Sequence, residues 1–307
     1  MSAIDRFKGG EGVLSNVSRS RKELVEGILF SLPYLVLFGV FLLYPLLMGG
    51  YMSLFEWNAF FPSRSEFIGI GNYTHLLGDP QFWNALGNTL YFSLLTVPSI
   101  VIVGLGLALG VNRDIRGRGV LRAIFFSPYI LTVSVAAVVW TNLYSTQYGV
   151  INYYLGLVMS NPPQWLQSYV FAMPSIAITT VWWLVGFSFV ILLAARQSVP
   201  EYLYEAAKLD GAGTWRMFRD VTVPQMRHAI FFVVVINLIW AFQVYGQPYV
   251  MTSGGPGQST TTLVMYLYEA AFNQQNFGYA ATIGYVLTAI LVVVSILNYY
   301  LIGGDNE

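Results

Sequence analysis

Long apolar runs separated by short polar connections organise this chain. Six runs, near 28–54, 86–111, 121–143, 174–195, 229–248 and 279–302, hold no Asp, Glu, Lys, Arg or His well inside their boundaries. Each is long enough for a helix crossing a bilayer core, which takes roughly 20 apolar residues. The pattern predicts an all-α polytopic membrane protein with six transmembrane helices. The first run is too long for a signal-peptide core and no small-residue cleavage pattern follows it, so it is expected to be retained. It carries Pro33 and Pro45, which a membrane helix tolerates when neighbouring groups satisfy the freed carbonyls. In the second run, Gly106 and Gly110 form a small-xxx-small pair that predicts close helix packing.

Charge in the connections gives an orientation. Arg6, Lys8, Arg19, Arg21 and Lys22 precede the first run. Arg113, Arg116, Arg118 and Arg122 lie in 112–122, and Arg196, Lys208, Arg216, Arg219 and Arg227 in 196–228. Arg64 alone falls on the other side. Cytoplasmic loops carry the excess of Lys and Arg, so both termini and these two loops are expected in the cytoplasm. Loops 55–85, 144–173 and 249–278 then face outward. The expected layout is a cytoplasmic tail 1–27, a transmembrane domain 28–302 and a short cytoplasmic tail 303–307, in a multi-pass protein of the cell membrane.

Composition narrows the function. Of 307 residues, 56% are hydrophobic and only 10% charged, with a mean hydropathy of +0.59; a soluble domain carries about 25% charge. A soluble enzyme, a disordered chain and a collagen-like fibre are excluded. Lys+Arg and Asp+Glu are both 15, with no basic excess to suggest nucleic acid. Cysteine is absent and the two histidines, His75 and His228, are too few for a His-based metal site. There is no Walker A loop, HExxH or GxSxG, so neither ATP hydrolysis nor another catalytic activity is expected, and no cofactor.

The 196–228 connection carries most information. Ser198 and Glu201 have capping-box spacing, with Pro200 in the first turn. A helix is expected to about Leu209, stopped at Asp210-Gly211 by a left-handed glycine. Thr214 can cap a second short helix, which Pro224 ends before the fifth run. The loop reads as a compact helical pair whose apolar residues need a partner.

Within it, Glu205-Ala206-Ala207, Asp210-Gly211-Ala212 and Val221-Thr222-Val223-Pro224 resemble the EAA loop of bacterial and archaeal ABC importer permeases: Glu-Ala-Ala, three residues, Gly, nine residues, Ile-x-Leu-Pro. Only Val221 and Val223 depart from it. The likeness extends over roughly 25–302. Phe67–Trp83 with Asn88-Thr89 is similar to the first outer loop of carbohydrate-importer permeases. Thr252–Thr260, with Gly254-Gly255-Pro256, and Tyr266–Phe272 are similar to the third, in the form typical of the maltose-permease F-type subunit.

The resemblance implies the ABC importer type I permease fold and a set of partners. These are a second, G-type permease, two ATP-binding-cassette ATPase subunits, an extracytoplasmic sugar-binding protein and the lipid bilayer, with no nucleic acid. It implies that 198–227 docks on an ATPase through Glu205, Ala206, Ala207, Asp210, Gly211 and Pro224. It places Asn237, Trp240, Ala241 and Val244 on sugar-contact positions of the fifth run, where Gln243 also stands, and Thr180, Trp183, Leu184 and Phe187 on the fourth. The last four are spaced i, i+3, i+4, i+7 and share one helix face. The alternatives are a secondary transporter or channel, which predicts buried ionisable groups or inverted repeats, and a membrane-embedded enzyme, which predicts clustered Asp, Glu or His.

Overall fold

The structure, a computed structural model, describes residues 26–59, 61–112, 116–298 and 300. The basic residues of the N-terminal tail, Arg113 and the tail 303–307 lie outside them. Among the described residues, five helices are long and apolar enough to cross a membrane: α1 (Glu26–Met52), α3 (Pro80–Val111), α7 (Ala172–Ser198), α9 (Thr214–Phe242) and α12 (Phe277–Asn298). Between α1 and α3 lie a two-residue hairpin, β1 (Phe55–Glu56) against β2 (Glu66–Phe67), and the short helix α2 (Gly71–Gly78). The remaining elements are α4 (Arg118–Ile130), α5 (Val133–Leu143), α6 (Val150–Gly156), α8 (Glu201–Leu209), α10 (Gly246–Thr252) and α11 (Leu263–Tyr268).

The third apolar run is not the single helix expected over 121–143. It is the pair α4 and α5, bent by 99°, the geometry of a broken span or of a re-entrant loop. Pro128 sits in a tight 3₁₀ turn at Ser127–Ile130, Leu131 is extended, and Thr132 Oγ1 accepts from the Val135 N–H at 3.4 Å to start α5. A missing donor and a competing cap together break the run.

The fifth crossing also differs. It starts at Thr214 and stops at Phe242, not 248. Pro224 does not end a short helix; it sits inside a continuous one. A π turn at Phe218–Thr222 makes this possible, its last bond running from Val223 N–H to Phe218 O. The same device precedes Pro45, where Tyr44 N–H reaches Gly39 O. A proline lacks its own donor and crowds the carbonyl four residues back; a wider turn before it relieves both.

Two expected caps are not made. Ser198 Oγ donates to Ala195 O at 2.8 Å and closes α7, and α8 begins after Pro200 with no side-chain cap. Thr214 is the first residue of α9 rather than its cap. The glycine pair is also displaced: a Cβ on Gly106 or Gly110 would meet nothing within 4 Å in this chain. The close approach is at Gly104, where a Cβ would touch Leu192 at 3.4 Å, with Ala108 fully buried one turn on.

That α3–α7 contact is the most extensive in the molecule, and α9 packs against both. Phe92, Phe189, Leu192, Ile176 and Val233 are buried in it. Helix α1 stands apart. Its most apolar stretch has no buried residue, and it meets α12 through the Tyr285 ring over Gly49 and Gly50, with the Tyr285 hydroxyl donating to Leu46 O. At the end of the bundle bearing the hairpin, the Asp79 carboxylate accepts from Gln81 N–H, capping α3, and from the hydroxyls of Tyr266 and Tyr279. One side chain thus joins α3, α11 and α12. Burial opposes its charge, but the two hydroxyls and the backbone donors outweigh it and hold the carboxyl below its ordinary value.

Candidate functional site

A cavity of about 530 Å³ opens between α3, α7 and α9. Helix α3 gives it Phe92, Thr96 and Ile100, and the elbow between α4 and α5 gives Tyr129 and Val133. Helix α7 contributes Thr180, Trp183 and Leu184; α9 contributes Asn237, Trp240 and Ala241. The break after Phe242 supplies Gln243, Val244 and Tyr245, followed by Gly246 and Gln247. Among the described residues, no Asp, Glu, Lys, Arg or His lines it. Aromatic faces and neutral hydrogen-bonding groups together suit a polyhydroxylated, uncharged guest.

Seven of the eight path residues expected from sequence therefore meet around one space. The eighth, Phe187, is not in the lining; it stacks on Tyr129 (ring centroids 5.3 Å) and meets Trp240 at a tilt (5.2 Å), so it packs between the two rings. The sequence reading missed Phe92, Thr96 and Ile100, which carry no signal beyond a buried helix face, and Tyr129 and Tyr245, which stand at helix breaks it did not foresee.

Asn237 is the most constrained polar group here. Its amide nitrogen donates to Val233 O at 2.7 Å and to Ser188 Oγ at 3.0 Å. The Val233 carbonyl fixes the amide's orientation, since only a donor suits it. The other atom, Oδ1, is buried with no partner among the described residues. A buried acceptor left unpaired costs about 1–3 kcal/mol, a cost that a donor placed there removes. Trp183 Nε1 donates to Leu131 O at 3.0 Å and ties α7 to the elbow. Gly186 allows that approach: a Cβ there would lie 2.5 Å from Phe125 O.

The second cluster lies on α8 at the opposite end of α9. Gly211, at φ +74°, closes α8: its N–H reaches Lys208 O and the Ala212 N–H reaches Ala207 O. These are the paired bonds of a Schellman motif, which needs a left-handed residue there. Glu205, Ala206, Asp210 and Gly211 are exposed, as is Pro224, and Ala207 is half-buried. Beside them Leu209 is 89% and Trp215 72% exposed.

Beneath this face Tyr204 is buried, and the sequence reading passed over it. Its hydroxyl shares a 3.0 Å hydrogen bond with Thr222 Oγ1, in the π turn of α9. The Arg196 guanidinium, from the end of α7, lies 4.2 Å over its ring. One tyrosine thus fastens α8 to both α7 and α9.

Comparison with known proteins accords with this arrangement. The model of the binding-protein-dependent transport system inner membrane component matches residues 23–303. The chain is 34% identical to the sulfoquinovosyl glycerol transport system permease protein SmoG of Agrobacterium fabrum, covering 87% of each chain. It is 33% identical to the trehalose/maltose transport system permease protein MalF of Thermococcus litoralis, covering 92% of this chain and 95% of that one. To the lactose transport system permease protein LacF of Rhizobium radiobacter it is also 33% identical, over 93% and 97%. A chain of a bacterial ABC transporter that imports the acidic polysaccharide alginate superposes with a TM-score of 0.78 at 22% identity, over 94% of this chain and 98% of that one. The chain belongs to the binding-protein-dependent transport system inner membrane components, the multi-pass permease subunits of ABC importers, which translocate rather than catalyse.

Proposed function

We propose that this chain is one of two non-identical permease subunits of a sugar importer, with both termini in the cytoplasm and the permease domain spanning 28–302. The observation that carries the reading is the continuity of α9. A single helix runs from the exposed face around Glu205 and Gly211, fastened to it through Tyr204 and Thr222, to the cavity at Asn237, Trp240 and Ala241. In this reading 198–227 seats in an ATPase subunit: Glu205 and Asp210 offer charge, Leu209 and Trp215 offer apolar surface, and Gly211 permits close backbone approach.

ATP-driven closure of two ATPase subunits then moves α8 and the base of α9 as one body and opens the cavity to the outside. A sugar-loaded binding protein delivers its cargo there, and hydrolysis returns the cavity inward. Once that movement uncovers Asn237 Oδ1, it accepts a sugar hydroxyl, while Trp183 and Trp240 cover pyranose faces. The uncovered α1 packs on the second permease. Relatives named for trehalose/maltose, lactose and sulfoquinovosyl glycerol transport support a saccharide cargo. So does the likeness to an alginate transporter described in complex with its pentasaccharide-bound periplasmic protein.

The test is reconstitution of both permeases with the ATPase and binding protein in liposomes, followed by uptake of labelled maltose, trehalose and lactose. Asn237→Leu, with the same branched skeleton and no hydrogen-bonding atoms, should raise the KM for uptake while the complex stays assembled. Unchanged uptake kinetics would remove Asn237 from the path.

A further inference from the structure

A line of aromatic rings leaves the cavity and climbs to the hairpin end of the bundle. Tyr245, in the cavity lining, stacks on Tyr249 with ring centroids 5.0 Å apart and planes 16° from parallel. It also meets Tyr268 at 5.4 Å. Tyr268 packs on Phe272 at 4.8 Å, and Phe272 on Phe277 at 6.2 Å, where α12 begins. Tyr249, Tyr268 and Phe277 belong to α10, α11 and α12; Tyr245 stands just before α10, and Phe272 in the π turn Glu269–Asn273 that follows α11.

The geometry points to a stepping track for pyranose rings between the outer surface and the cavity. This rests on the proposed sugar-import reading and adds the route by which cargo reaches its site. Three features favour it over packing or a membrane-interface belt. First, the rings are open: Tyr249, Tyr268 and Phe272 are 47%, 39% and 60% exposed, whereas core rings such as Phe92 and Phe189 are fully buried. Second, the line has two distinct ends, a ring in the cavity lining and the first residue of α12 beside the hairpin, whereas belt residues gather at a single level. Third, the line begins at a ring that already lines the cavity, so a guest leaving one end enters the other.

The chemistry fits a saccharide. The C–H face of a pyranose carries partial positive charge and lies flat on the negative face of an aromatic ring. Its hydroxyls stay at the edges, in reach of water and of the tyrosine hydroxyls. Neighbouring rings about one sugar width apart allow transfer without full rehydration, so no single step is deep.

The experiment uses the complete importer in liposomes with labelled maltose, trehalose and lactose. Tyr268→Leu and Phe272→Leu keep apolar bulk and remove the ring face; Tyr268→Trp restores a face. Uptake at subsaturating sugar should fall by about two- to tenfold in each Leu variant and recover in Tyr268→Trp, with the complex still eluting as one assembly. Leu variants transporting like wild type, or Trp no better than Leu, overturn the track and leave the sugar-importer reading intact. Loss of assembly in the Leu variants makes this face a subunit interface, which also overturns it. A wild-type complex that takes up none of the three sugars overturns the import reading and the track with it.

Discussion

Replacing Tyr204 with Phe removes one oxygen and leaves the ring under Arg196 in place. The hydroxyl it deletes bonds Thr222 Oγ1 at 3.0 Å in a buried setting. Thr222 keeps a weaker contact to Met217 O at 3.4 Å, so it is not wholly orphaned. A buried hydrogen bond contributes a net ~1 kcal/mol, rising when a partner is left unpaired. With the residual contact, the loss should be about 1–1.4 kcal/mol, roughly five- to tenfold in the equilibrium that keeps α8 fastened to α9. Thr222→Val should cost a similar amount by stranding the Tyr204 hydroxyl. The double variant removes both polar groups and should recover much of the loss, because two apolar groups of matching shape can replace a bonded pair at little cost. The assay is the number of sugar molecules taken up per ATP hydrolysed by the reconstituted complex. If the single variants couple normally, or if the double variant loses the sum of the two, Tyr204 and Thr222 do not transmit movement as a unit.

Glu205→Ala should leave the chain folded, since the side chain is exposed, while sharply lowering sugar-stimulated ATPase activity and uptake; wild-type uptake contradicts the docking assignment. Asp79→Asn should flatten the pH dependence of thermal unfolding. The Asp79 carboxyl is held below 3.8 in the folded chain, so its contribution is present above that value and is lost as pH falls through the lowered folded one. Wild type and variant should therefore converge in acid, and parallel melting curves down the acid range would refute this. Gly186→Ala puts a Cβ against backbone atoms of Phe125 and Phe126 and should destabilise by about 1–3 kcal/mol, read as a lower melting temperature; an unchanged one would mean the elbow yields freely.

The general position of each apolar run was legible because bilayer thickness imposes a length and a polarity that few substitutions can hide. The gathering of Thr180, Trp183, Leu184, Asn237, Trp240 and Ala241 was legible through the family resemblance, while helical spacing placed only Thr180, Trp183 and Leu184 on one face. What stayed hidden was the state of the backbone inside apolar runs. Pro128 was in plain sight within 121–143, yet Pro98 leaves its helix unbroken and Pro128 takes part in a 99° bend. The difference lies in Thr132, free to cap the next segment. The π turns escaped for the opposite reason: sequence rules treat a proline such as Pro224 as a stop, whereas here the preceding turn widens and the helix continues. Gly106 and Gly110 showed the right spacing on the wrong face, two positions from the Gly104–Ala108 seam.

The wide turn before Pro224 has a consequence for how the two ends of α9 are phased. It holds one surplus residue, and in a regular helix one residue corresponds to about 100° of rotation. The wide turn takes up that residue locally, so Asn237 and Trp240 keep their azimuth against the Glu205 face. A regular α-helix threaded through the same residues would instead turn both about 100° from the direction in which they now meet the cavity.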